Sequence, residues 1–403
     1  MAVGVSSYRN THGTMNLKNS EDGFVKQSNL MNTGSVKRLY HADNLNVLKS
    51  LINDADIKGH IKLVYIDPPY NTGYDFENHD QEFAYSDRFS TEEYLSFMRD
   101  RLILLKELLS NDGSIYIHLD SNMVFHIKIL MDSIFGTRNF QGMITRKKCK
   151  SKNYTKKTFG NISDYILFYT KSDSPVWNRP YEQWEPEKIE KEYPYIEEGT
   201  GRRYKKVPIH APGLRKGSTG SEWRGMLPPA GKHWQYTPDK LDEMDAKNEI
   251  YWSSTGNPRR KVYLDQSKGI PVQDIWLDFL DINNQNTLLT GYPTEKNLEM
   301  LKRIVEASSN KGDIVLDCFA GSGTTLIAAE ELERQWIGVD IGEMAIRTIR
   351  DRLENGSKKL SELKTKKKTT SQSSLFDSLD VKEEEKTNSD DKRNIIYDFY
   401  EEI

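Results

Sequence analysis

The sequence predicts an α/β fold: one doubly wound, mostly parallel sheet built from two separated stretches, 36–170 and 286–355, with a smaller loop-rich module at 171–285 between them. Three observations carry this. In both stretches short apolar runs alternate with amphipathic helical periods, the pattern of a parallel sheet covered by helices. Between 171 and 285 helical periodicity fades while Trp, Tyr, Pro and Gly accumulate, as in "WNRPYEQWEPE" and "APGLRKGSTGSEWRGMLPPAGKHWQY". Each stretch also holds a buried-type strand that ends on an acid and then turns sharply, "KLVYID" and "DIVLDCF".

Taken in order, residues 1–35 are rich in Ser, Asn, Thr and Gly without periodicity and read as a flexible N-terminal tail. Order begins near Val36. "HADNLNVLKSL" turns into a short helix, and "KLVYID" is a strand. "STEEYLSFMRDRLILLKELL" is an amphipathic helix with Tyr94, Met98, Leu102, Leu105 and Leu109 on one face. Ser90 and Glu93 have the spacing of a capping box. "NDG" turns the chain into the strand "SIYIHLD"; "NMVFHIKILMDSIFG" is a helix closed by Gly136, and "SDYILFYTK" is a third strand. After the module come the helix "TEKNLEMLKRIVEASS", the strand "DIVLDCF", the helix "TTLIAAEELER", the strand "QWIGVDI" and the helix "EMAIRTIRDRLE". Residues 356–403 read as a charged C-terminal tail, whose final "NIIYDFYEEI" has the look of a short docking element.

The 403 residues, 36% hydrophobic, suffice for a sizeable core, and 2 cysteines exclude a disulfide framework or a cysteine-rich zinc site. No apolar run is long enough to span a membrane and no signal core stands at the start, so a soluble cytoplasmic protein is expected. The net charge of -3 hides an uneven distribution: residues 376–403 hold 10 acids and 4 bases, a net -6, leaving +3 for the rest. Basic clusters stand at 146–157, 201–206 and 257–261, interleaved with aromatics, and suit a phosphate-binding surface. A single such run more often marks a solvated face.

Two motifs carry chemistry. In "VLDCFAGSGTT" a buried strand runs into Asp317, and Gly321 and Gly323 let the backbone turn before a helix starts at Thr324. The third glycine of the dinucleotide fingerprint is absent, as is the Gly-Lys-Ser/Thr ending of a triphosphate loop. The next strand ends in Asp340, an acid placed to hold ribose hydroxyls. A nucleoside cofactor that need not carry phosphates fits both features. In "DPPY", proline fixes its own φ and biases the preceding residue toward extended backbone. Asp67 and Pro68 therefore project past the sheet. Their carboxylate and carbonyl form an acceptor pair for an –NH2 group, and Tyr70 offers a face on which a planar ring can stack.

"DPPY" together with "FAGSGTT" resembles the beta class of S-adenosylmethionine-dependent DNA amino-methyltransferases, a circularly permuted arrangement with "DPPY" ahead of the glycine loop. The likeness covers residues 36–355 and extends to "GSIYIHLDSN", "IFGTRNF", "ILFYTKS", "DIWLD", "GYPTEKN" and "WIGVDI". In that detail it is similar to modification subunits of type III restriction systems and their solitary relatives. Asn297 stands where relatives usually have proline after the lysine of "PTEK".

The resemblance implies the class I methyltransferase fold, a Rossmann-like, mostly parallel seven-stranded sheet, with 171–285 as target-recognition module. It implies methyl transfer from S-adenosylmethionine to the N6 amine of an adenine flipped out of double-stranded DNA, with Asp67, Pro68, Pro69 and Tyr70 as the catalytic motif. The cofactor-binding set would be Asp317, Phe319, Ala320, Gly321, Ser322, Gly323 and Thr324 toward the methionine end, with Asp340 and Ile341 toward the ribose. Asp43 resembles the family's acid on the cofactor's adenine, and Lys296 approaches its amino-acid end. Lys147, Lys148, Lys150, Arg202, Arg203, Lys205, Lys206, Arg215, Arg259, Arg260 and Lys261 are candidates for phosphate or base contacts. A restriction subunit and a second copy of the chain are the implied protein partners. No metal is called for, because the sulfonium is already activated. Cytosine N4 is the alternative target, and a non-catalytic DNA-binding subunit the alternative role. Cytosine C5 chemistry would want a cysteine after a proline, which neither Cys149 nor Cys318 is.

Overall fold

The computed structural model describes residues 16–17, 24–28, 35–69, 75–77, 83–86, 90–150, 157–281, 295–356 and 395–402. Two compact units result, one from residues 1–180 with 273–403 and one from 181–272.

The main sheet of the first unit takes β1 Asn16–Leu17, β2 Phe24–Ser28, β3 Lys37–His41, β4 Ile61–Ile66, β5 Leu109–Leu119, β6 Phe140–Lys147, β7 Ser163–Thr170, β8 Ile275–Trp276, β9 Ile314–Asp317, β10 Gln335–Asp340 and β11 Asp398–Glu402, while Asp75–Glu77 and Phe83–Ser86 pair separately. The main sheet has the order β1-β2-β11-β3-β10-β9-β4-β5-β7-β6-β8. Its centre, β3 through β6 in that order, is the expected seven-stranded sheet. The strands from β3 to β5 are parallel neighbours, and β7 runs antiparallel between β5 and β6. β4 and β9 sit in the middle and are buried almost throughout, which explains their unbroken apolar runs.

The helices of this unit are α1 Asn44–Asn53, α2 Thr91–Leu108, α3 Val124–Phe135, α4 Leu298–Ser308, α5 Thr324–Glu331 and α6 Glu343–Asn355. The capping box of α2 is present in both directions between Ser90 and Glu93. Tyr94, Met98, Leu102 and Leu105 face the core as the period requires, while Leu109 opens β5. The anticipated "NDG" turn is a register shift in the β4–β5 ladder rather than a separate loop. Gly136 closes α3 at φ 89°. Asn297 caps α4, its Oδ1 accepting the N–H groups of Glu299 and Met300 at 3.0 and 3.2 Å. The Asn297 side chain thus satisfies two N–H groups of the first turn.

The N-terminal stretch departs from expectation, and the final segment docks as a strand. β1 and β2 come from the N-terminal stretch, and β11 pairs parallel with β3 and antiparallel with β2. Tyr397 and Phe399 are buried there, and the Tyr400 ring stacks on Tyr40 at 4.5 Å. An unpaired sheet edge invites such pairing. Among the described residues no helix is long and apolar enough to cross a membrane.

The second unit is narrower than the anticipated 171–285. Trp177 packs on Phe168, Asn178 N–H donates to the Ala307 carbonyl at 2.7 Å, and Ile275–Trp276 pairs with β6, so both flanks belong to the sheet-bearing unit. Within 181–272, a four-stranded antiparallel sheet takes Tyr195–Ile196, Arg203–Pro208, Pro258–Tyr263 and Ile250–Trp252 in that order. Two short helices, Pro186–Glu192 and Pro238–Ala246, accompany it, and the second supplies Leu241 and Met244 to an apolar cluster with Ile209, Trp223, Trp234 and Ile250.

Candidate active site

β4 and β9 are adjacent and parallel, with Val64 opposite Leu316. β4 runs out into Asp67 and β9 ends on Asp317, so two carboxylates far apart in the chain leave neighbouring strand tips in one direction. This is where open α/β sheets hold ligands. Lys296, just before α4, forms an ion pair with Asp67. Pro68 is buried and Pro69 partly so. Tyr70 lies outside the described residues, as does most of the aromatic segment after it.

Asp317 is 2% exposed and accepts the Phe319 N–H at 3.0 Å. Burial, with the charges of Asp67 and Asp340 adding to it, pushes its carboxyl up to about 7 against the hydrogen bonds from Thr325 and Phe319. Below neutral pH the folded chain therefore keeps a proton that the unfolded chain, with an ordinary aspartate, gives up near pH 4. The sign follows: stability falls as pH rises from about 4 to about 7, by at most about 1.4 kcal/mol per unit. Asp317→Asn is expected to flatten that part of a urea-denaturation pH profile.

The turn after Asp317 is tightly specified. Gly321 and Gly323 have φ of 52° and 75°, and a Cβ on Gly323 would sit 2.7 Å from Ile349 Cγ1. Asp340 accepts the N–H of Gly321 and of Gly342, both at 2.8 Å, and Ala320 N–H donates to the Val339 carbonyl at 3.0 Å. Burial raises the Asp340 carboxyl, while those N–H donors oppose the rise. Phe319 packs against Phe97 with centroids 6.0 Å apart, and Ile341 is 68% exposed beside these acids. Asp43 caps α1, accepting the Leu45 N–H at 2.8 Å, and Asn44 Nδ2 donates to the Cys318 carbonyl at 2.7 Å. Asp43, Asp317, Phe319, Gly321, Asp340 and Ile341 thus line the loops at one end of the sheet.

Sequence reasoning missed the buried groups behind this front. Arg352 on α6 donates to the Ser322 carbonyl at 2.9 Å and to Thr324 Oγ1 at 3.0 Å, and its guanidinium lies 3.3 Å from Glu295. Ser322 and Thr324 in turn share a hydrogen bond of 3.0 Å. The available signal was an arginine on the apolar face of a helix otherwise lined by Ala345, Ile349 and Leu353. Arg101 reaches Asn44 Oδ1 at 2.6 Å and lies 3.5 Å from Asp43. Tyr65 and His118 share a hydrogen bond of 2.8 Å, and His118 Nε2 lies 3.5 Å from Asp164. Burial holds the imidazole below its ordinary range, against the pull of Asp164.

The basic candidates divide. Lys148 is partly buried and paired with Asp164 at 2.8 Å. Lys261 is buried with its ammonium 2.8 Å from Glu197, which takes it out of the set a polynucleotide could touch. Arg202 forms a fork with Asp265 at 2.7 and 2.9 Å and lies over Tyr263. Lys205 faces Glu192 at 3.5 Å, Arg203 donates to the Tyr193 carbonyl at 3.4 Å, and Arg260 donates to Tyr236 Oη at 2.6 Å. Lys206 sits between the rings of Tyr195 and Tyr251, 3.6 and 3.4 Å from their centroids. Lys147 is half-buried, and Lys150, Arg215 and Arg259 are exposed.

The arrangement offers carboxylates, a turn of close-approach glycines and exposed apolar surface at one set of strand tips. That chemistry suits hydroxyls, amines and a cation rather than phosphates. Comparison with known proteins identifies the family. The N6_N4_Mtase model, described as DNA methylase, matches residues 61–351. The chain is 50% identical over 333 residues to the type II methyltransferase M.EcaI of Enterobacter cloacae, covering 83% of this chain and 72% of that protein. It is 31% identical over 336 residues to the type III restriction-modification enzyme StyLTI Mod subunit of Salmonella typhimurium, covering 73% of this chain and 49% of that subunit, about half its length. Among solved structures, that of the M1.HpyAVI-SAM complex aligns with 78% of this chain and 98% of its own at a TM-score of 0.42 and 16% identity. The chain belongs to the N6_N4_Mtase family of DNA methylases.

Proposed function

We propose that this DNA methyltransferase is site-specific and transfers the methyl group of S-adenosylmethionine to the N6 amine of a flipped adenine. The reading rests on one observation: Asp67 and Asp317 leave neighbouring parallel strands, so an amine held by the first lies beside a cofactor held at the second. The residues fit that cofactor. Asp340 suits a ribose diol and Asp43 an adenine amine. Ile341 gives the ring an apolar face, and the turn at Gly321 and Gly323 admits a close ligand. Asp317, beside Asp67, suits a positively charged group. S-adenosylmethionine, when bound, supplies an electrophilic methyl on a sulfonium.

The chain's own residues do the rest. The adenine amine is a weak nucleophile because its lone pair is shared with the ring. The Asp67 carboxylate and the Pro68 carbonyl accept its two N–H groups and draw the lone pair out of conjugation. They also stabilise the positive charge that grows on nitrogen, an interaction strongest in the transition state. Lys296, paired with Asp67, fixes where that carboxylate points. Tyr70 stacks on the extruded base and offsets part of the unstacking cost of about a few kcal/mol. Arg215, Arg259, Lys150 and the ring-held Lys206 are the cations best placed to meet DNA phosphates. Adenine is favoured over cytosine because Asp precedes "PPY"; cytosine-directed relatives more often carry Ser there. Restriction partners follow from the kinship to Mod subunits, and a homodimer is part of the same proposal.

The test is nucleoside analysis by mass spectrometry of DNA treated with the protein and S-adenosylmethionine. N6-methyladenine is expected, and sequencing of modified bases in the same DNA is expected to place it in one fixed sequence context. N4-methylcytosine would reassign the base, and unmodified DNA would remove the activity. Because the cation and the Asp317 carboxyl are linked, cofactor binding near pH 7 is expected to release a proton. Calorimetry in two buffers of different ionisation heat reads this directly.

A further inference from the structure

β11 carries no motif, yet two of its consecutive carboxylates reach both walls of the nucleoside end of the site. Glu402 accepts the Asp43 backbone N–H on Oε2 at 2.9 Å and the Asn46 side-chain amide on Oε1 at 2.7 Å. Glu401 lies 3.7 Å from His41 Nδ1, and His41 Nε2 lies 3.2 Å from the Ile341 carbonyl oxygen. The register is fixed by pairing Tyr400 with Tyr40 and Glu401 with His41, and the stacked rings of Tyr40 and Tyr400 hold it. Asp43 opens one wall at the start of α1, and Ile341 stands on the other just after β10.

We propose that β11 is an integral part of the cofactor site and that Glu402 is a positioning residue for the Asp43–Asn46 turn. The Asp43 amide precedes the first turn of α1 and has no helical acceptor, so without Glu402 it and the Asn46 amide turn to water. The Asp43 carboxylate, which caps the helix from the same residue, then loses its fixed direction toward the cofactor's adenine. A carboxylate at a helix N-terminus also gains from the helix dipole. Glu402 is exposed, so its two hydrogen bonds stay modest in strength and their loss loosens the turn without unfolding the unit. The inference rests on the reading of Asp43 and Ile341 as cofactor contacts.

The test uses the full chain with Glu402→Ala and Glu402→Gln, titrated with S-adenosylmethionine and, separately, with adenosine. Glu402→Ala is expected to weaken both ligands by the same factor, about 3- to 10-fold. Glu402→Gln, which keeps one acceptor oxygen, should recover part of it. The melting temperature and kcat at saturating cofactor are expected to stay at parent values, which a merely structural role would not allow. Parent-like affinity for both ligands in Glu402→Ala overturns the positioning role, as does a drop in melting temperature with affinity unchanged. If the unsubstituted chain binds neither ligand, the cofactor reading itself fails, which separates the two outcomes.

Discussion

Asp67→Ala is expected to reduce methyl transfer by about 10²- to 10³-fold in kcat while leaving affinity for S-adenosylmethionine within about tenfold of the parent. The carboxylate is placed by β4, the central strand, and two prolines fix the backbone beyond it. It meets the amine rather than the cofactor, so its removal strikes the step in which charge develops on nitrogen. Alanine leaves Lys296, only 11% exposed, without the carboxylate it faces. Asp67→Asn keeps one acceptor oxygen and is expected to fall between the two. Single-turnover transfer of labelled methyl reads the chemical step, and calorimetry reads cofactor affinity. Turnover near the parent rate in Asp67→Ala would remove Asp67 from the mechanism.

Arg352→Met is expected to cost about 3–5 kcal/mol of folding stability, seen as a lower urea midpoint at unchanged slope. Arg352 and Glu295 are each 3% exposed at the side chain and 3.3 Å apart. The same guanidinium holds the Ser322 carbonyl and Thr324 Oγ1 in the glycine turn. Burial lowers the basicity of Arg352, opposed by Glu295 and Glu331. Methionine fills much of the volume but takes from the buried Glu295 carboxylate the guanidinium it faces, which is the expensive half of the change. The double variant Arg352→Met with Glu295→Gln should recover a large part of the loss, since the pair is coupled. The single variant should also bind cofactor more weakly, because the turn carrying Ser322 and Thr324 loses its anchor. Parent-like stability in Arg352→Met would mean that the ion pair does not hold the turn.

What could be read from the chain alone follows a physical division. β4, β9 and β10 announced themselves because central parallel strands are apolar throughout, and their functional ends are written in Pro, Gly and Asp, which act on local backbone. The Ser90–Glu93 box and Gly136 are likewise local and appear where expected. Arg352 with Glu295, and Arg101 with Asn44, are side-chain contacts between distant segments, and no spacing rule reports them. The place where the final segment docks was illegible for a related reason: a five-residue strand beside a charge run is held by distant partners, β2, β3 and the Tyr40 ring, which no local spacing reports. The basic clusters misled in part, since composition cannot separate Lys261, buried against Glu197, from the exposed Arg259 two residues earlier.

The central claim is that the tips of β4 and β9 form one cleft in which an amine and a methyl donor face each other. A crystal structure with sinefungin, which carries an amine where the cofactor carries its sulfonium methyl, tests this most directly. The account predicts the analogue seated on the Gly321 turn with its ribose at Asp340 and its extra amine within hydrogen-bonding reach of the Asp67 carboxylate. An analogue bound elsewhere, or one whose amine points away from Asp67, would contradict it.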